Sequence, residues 1–88
     1  MTIEHNGVEY WTQIGSDIIR DGMYLEVGSG PDKTGEILEV FYSDVTNEMS
    51  LTLHVPDVPL AVVESALAVA RARLPPRAGA VIRAGPAS

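Results

Sequence analysis

Eighty-eight residues, 45% of them apolar and 20% charged, bound a single globular domain and exclude wholesale disorder. The absence of cysteine excludes a disulfide framework, a thiolate zinc site and a cysteine nucleophile. The net charge of −6 is uneven: residues 1–57 carry eleven acids against Arg20 and Lys33, whereas residues 58–88 carry four arginines against Glu64, so the acidic body repels phosphate backbones and disfavours nucleic acid as a partner.

From the N-terminus, MTIEHNGVEY has no basic stretch followed by an apolar run, so no signal peptide is read there. Asn6-Gly7 is the strongest short hairpin signal in the chain. It predicts a first strand over 2–5 and a second over 8–14. A third short strand is expected over 17–20, with Asp21-Gly22 closing a tight turn. Val8, Trp11, Ile14 and Ile18 also fit a helical stripe, but Gly15 and the β-favouring Val8, Tyr10, Trp11, Thr12 and Ile14 favour strand.

GMYLEVG alternates, with Met23, Leu25 and Val27 on one side and Tyr24 and Glu26 on the other. It is expected to run antiparallel to residues 36–42. Between them, GSGPDKTG resembles a phosphate-binding loop only superficially. Asp32, not glycine, precedes Lys33, the spacing is one residue short, and a strand follows where the phosphate would need a helix N-terminus. The stretch reads as a hairpin loop.

EILEVFYS and MSLTLHV form the clearest hairpin, over 36–55. The register that aligns their apolar faces sets Tyr42 against Met49, Val40 against Leu51 and Leu38 against Leu53. A helix is expected from Val58 to Leu74, capped by Asp57 with Pro59 in its first turn. Its expected stripe is Leu60, Val63, Leu67, Ala70 and Leu74, packed on Leu38, Val40, Leu51 and Leu53. LAVVESALAVA, interrupted by Glu64, is too short to span a bilayer, so a soluble, cytoplasmic protein is expected. The Pro/Gly/Ala-rich tail, residues 76–88, contains AVIRA, which could add as an edge strand.

The fold class read from these elements is α+β. A meandering antiparallel sheet of four to five strands, with one C-terminal helix on one face, forms a single domain over residues 1–75.

Few residues carry chemistry. Ser50 lies four residues from His54 on one strand, about 13 Å away at ~3.3 Å per residue, too far for a serine–histidine pair. Glu39 and His54 could approach diagonally, which leaves a small hydrolase or isomerase as the weakest reading. His5 and His54, with Glu4, Glu9 and Glu39, match no metal-ligand spacing, and neither a metal nor another cofactor is expected. The mixed face opposite the helix, with Tyr24, Ile37, Glu39, Phe41, Thr52 and His54 as its interface candidates beside Glu26 and Ser50, has the make-up of a recognition surface. The expected function is therefore a non-enzymatic protein-interaction module, self-associating as a homodimer or binding another, possibly basic, protein. The alternative is an acidic inhibitor or immunity-type protein directed at a cationic enzyme.

Overall fold

The computed structural model describes residues 1–31 and 35–75. The AVIRA segment and the loop positions Asp32, Lys33 and Thr34 lie outside them. Five strands follow in chain order: β1 (Thr2–His5), β2 (Val8–Asp17), β3 (Gly22–Ser29), β4 (Gly35–Ser43) and β5 (Met49–Leu53). They pair with their sequence neighbours in the spatial order β1-β2-β3-β4-β5, every pair antiparallel. Among the described residues one helix, α1 (Leu60–Arg73), packs on one face. This is the α+β meander that the alternating pattern implies. Among the described residues no helix is long and apolar enough to cross a membrane.

The turns explain the strand boundaries. Asn6 and Gly7 both take positive φ, 50° and 77°, which gives the two-residue turn whose twist suits a right-twisted hairpin. The connection from β4 to β5 runs through Asn47, at φ 62°. The Ser43 hydroxyl there accepts from the Val45 and Thr46 N–H groups, both at 3.1 Å. The expected register holds across this hairpin: Tyr42 faces Met49, Val40 faces Leu51 and Leu38 faces Leu53.

Residues 8–17 form one ten-residue strand rather than two short ones, and 18–21 are a turn. The expected strand over 17–20 is therefore corrected. Gly15 does not interrupt β2, because the Tyr24 ring of β3 lies over it and leaves no room for a side chain. Asp17 ends the strand by accepting the Arg20 N–H at 3.0 Å, an Asx-type turn that competes with the ladder.

The core lies between the helix and one face of the sheet. Leu25, Val27, Leu38 and Val40 are fully buried there, joined by Ile3, Tyr10 and Tyr42, and from the helix by Val62, Ala66, Ala70 and Leu74. The buried stripe runs at i, i+4 through those four residues; of the expected stripe, Ala70 and Leu74 lie in it, Val63 and Leu67 pack along its flank, and Leu60 falls outside it. Leu60 is 69% exposed. The physical reason is closeness: alanines at 66 and 70 let the helix backbone approach the sheet, where a leucine at 67 can only flank the contact. Asp57 is not the cap. It sits at φ 59°, and Pro59 takes the N-cap position with no side-chain cap bond. The helix touches β1, β3 and β4 but not β5, so Leu51 and Leu53 lie beyond it, contrary to the expected packing.

This rotation of the helix has a measurable signature. Val62→Ala should cost about 2 kcal/mol by lost burial and the cavity it leaves, whereas Leu60→Ala should change stability by no more than ~0.5 kcal/mol. Urea unfolding of the two variants checks the difference, and a larger loss at Leu60 would mean that the stripe faces the other way.

Candidate functional site

The face opposite the helix is built on aromatic rings seated over glycines. Trp11 lies across Gly28 in the directly paired position, and Tyr24 lies across Gly15 in the same relation. The Phe41 ring reaches diagonally over Gly22. A methyl group at Gly28 would strike both the Trp11 ring and the Gly35 carbonyl, so this glycine is there for space. The Trp11 indole N–H is buried without a hydrogen-bond partner among the described residues.

Between these rings stands a charged cluster. Glu26 and Glu39 are directly opposed on β3 and β4, an arrangement in which like charges repel. Glu36 joins them through a β-bulge: Val27 pairs with Leu38 and Gly28 with Glu36, which leaves Ile37 without a partner of its own. The extra residue shifts the alternation by one. Glu36 therefore comes round to the face of Glu39, and Ile37 packs against the core instead. Oxygens of the three carboxylates lie within 4.8 Å of one another.

Arg20, arriving from the β2–β3 turn, offsets part of this repulsion. Its guanidinium binds Glu39 through both terminal nitrogens, at 3.2 and 2.8 Å, while Nε donates to Asp17 at 2.6 Å. Its Cζ lies 4.1 Å from the Phe41 ring centroid, a cation–π contact that holds the side chain down on the sheet. The Arg20 N–H and then its guanidinium hold the Asp17 carboxyl below the usual carboxylate range. Glu26 has no such partner. Its burial, followed by repulsion from Glu36 and Glu39, raises its pKa above the ordinary value. His54 Nε2 stands 3.6 Å from Glu36 Oε2, a pair that gains charge only when the imidazole is protonated.

Five of the six candidate residues, Tyr24, Glu39, Phe41, Thr52 and His54, occupy this face, and the bulge draws the sixth, Ile37, towards the core. Glu39 pairs with Arg20, and the carboxylate at His54 is that of Glu36. Sequence reasoning missed both Arg20 and Glu36. The Asp17–Arg20 spacing of three residues was the available signal for the first, and an unpaired bulge residue leaves no signal for the second. The three glutamates could each offer one oxygen to a hard cation, whereas calcium takes six to eight, and both Glu39 oxygens already accept from Arg20.

The outer edge of β5 is open in a specific sense. The His54 N–H donates to the Ile37 carbonyl at 2.8 Å, and the Glu48 carbonyl accepts from Ser43 at 3.0 Å. Backbone groups of the even-numbered residues thus turn towards β4, and by alternation those of Met49, Leu51 and Leu53 turn outward. Leu51 is 41% and Leu53 51% exposed, and Val55 just past the strand 39%.

The glutamate cluster sets a pH dependence. Because folding raises the Glu26 pKa, its ionisation opposes folding; the penalty is in force above the folded-state pKa and is relieved as pH falls through it towards the unfolded value of 4.5. The Asp17 contribution has the opposite sense, present above its unfolded value of 3.8 and lost as pH falls through its lowered folded pKa. Mild acidification from neutrality should therefore raise the melting temperature before strong acid lowers it. Glu26→Gln should gain about 0.5–1 kcal/mol at neutral pH, a few degrees in Tm, and lose the acid-side rise. Equal neutral-pH melting temperatures for wild type and variant would contradict the repulsion.

Comparison of the chain with protein-family models, with curated proteins and with solved structures finds no match.

Proposed function

We propose that this protein is a non-enzymatic protein-interaction module that associates with a second copy through the β5 edge. The single observation that carries the reading is the coincidence, on Leu51 and Leu53, of outward-turned backbone groups with exposed apolar side chains, on a strand that α1 does not reach. An edge strand that is alternating, uncharged and free of proline is a ready template for another strand. Antiparallel pairing about a twofold axis at Leu51 would set Met49 against Leu53 of the second copy. Each odd-numbered residue would then exchange both of its backbone bonds, and Leu51 and Leu53 of the two copies would meet on the helix side. Such a contact is self-complementary, as a twofold interface requires, and it compensates for the modest burial available to a chain of this size. The mixed face is left free by this pairing, since its rings and glutamates lie away from the strip that the leucines form.

The test is the mass in solution. At high micromolar concentration, light scattering should give twice the chain mass for the wild type and the monomer mass for Leu51→Lys, with melting changed little at low concentration. A wild-type monomer overturns the reading. Ile82→Asp, in the full chain, separates this edge from tail-mediated association: dimerisation that survives the substitution supports the β5 contact, and its loss assigns the interface to the tail.

A further inference from the structure

The end of the sheet opposite the glycine-rich loop carries an apolar knob that neither the core nor the β5 edge accounts for. Ile18 and Ile19, adjacent at the tip of the β2–β3 turn, are 92% and 95% exposed, and Val45 in the neighbouring β4–β5 turn is 71% exposed. The two turns are tied together by the Asp44 N–H, which donates to the Asp21 carbonyl at 2.9 Å. Single exposed aliphatic residues are ordinary on protein surfaces. Two consecutive β-branched residues standing almost wholly in solvent, with a third on a joined loop, form a projecting apolar surface.

The knob is held in shape. Asp17 accepts from the Arg20 N–H at 3.0 Å and from Nε at 2.6 Å. Asp21 holds a positive φ of 57° to close the turn. Isoleucine and valine have few rotamers to lose, so an occupant would meet a surface ordered in advance, which lowers the cost of binding.

Charge defines the occupant. Asp21, Asp44 and Glu48 are exposed around the knob. The one cation in these turns, Arg20, is drawn away onto the sheet face by Glu39 and the Phe41 ring. Among the described residues of these turns, the aliphatic groups are thus bordered by exposed acids, and the one cation is paired with Asp17 and Glu39. Anionic membranes repel such a surface, and interfacial membrane anchors use basic and aromatic residues in place of acids. We infer that the Ile18–Ile19–Val45 knob docks into an apolar cleft bordered by lysine or arginine on a partner protein of a different sequence, the acids steering the encounter.

The test pans a random-peptide display library on the immobilised full-length protein, with counter-selection on the Ile18→Ser/Ile19→Ser double variant. Both side chains are solvent-exposed, so the double variant should keep the wild-type melting temperature. The proposal expects recovered peptides to combine aliphatic or aromatic residues with flanking lysine or arginine. They should lose at least about tenfold in affinity on the double variant, and on Asp44→Lys/Glu48→Lys as well, and should bind more weakly as salt rises. Recovery of no variant-sensitive peptide, or of peptides without basic residues, overturns it. So does co-sedimentation with phosphatidylcholine vesicles that the double variant abolishes, which would make the knob a membrane contact. Light scattering of the double variant separates this site from the β5 edge: an unchanged dimer keeps the two apart, and conversion to monomer would make a second copy the knob's occupant and overturn the proposal.

Discussion

One helix has to close the core of a five-stranded sheet, and most of the molecule follows from its being too narrow to do so. A helix with its side chains is about 10 Å across, and strands lie ~4.8 Å apart. Centred over β1, β3 and β4, α1 brings Val62, Ala66, Ala70 and Leu74 onto Leu25, Val27, Leu38 and Val40. The alanines bring it close and make the contact dense, and the density leaves the last strand outside. The exposure of Leu51 and Leu53 is the other side of a well-filled centre.

The opposite face solves a different problem with different materials. Among the described residues no helix covers it, and its apolar content is made of rings laid flat over glycines. This places polar groups in the gaps, and three glutamates occupy one of them. Arg20 neutralises one and stacks on Phe41, so the turn that carries it is fixed to the sheet at two points. The same bonds that quieten the cluster hold the hairpin tip upright.

The parts of this fold legible in the sequence are those where one pattern dominated. Met49, Leu51 and Leu53 alternate without exception, so their register against Leu38, Val40 and Tyr42 could be written down from parity. Asn6-Gly7 named its own turn. The helix orientation was not legible, because Val62, Val63, Leu67 and Val69 surround the axis and offer more than one apolar stripe. Size misled as well: the larger residues suggested the buried side, and the sheet selected the smaller ones. Ile18 and Ile19 have strong strand preferences, yet a local bond from Asp17 to the Arg20 backbone outweighs them. For the candidate site, parity put Tyr24, Glu39 and Phe41 on one face correctly. It failed at Ile37, because a bulge changes the count without changing the composition.

The two margins of the sheet are unlike. β1 lies against α1 and carries Glu4 and His5, whereas β5 carries no charge and, among the described residues, leaves Leu51 and Leu53 exposed. In the proposed dimer each copy has used its β5 margin, and the charged side chains at β1 work against adding a further strand there, so the pairing that joins two copies disfavours a fibre.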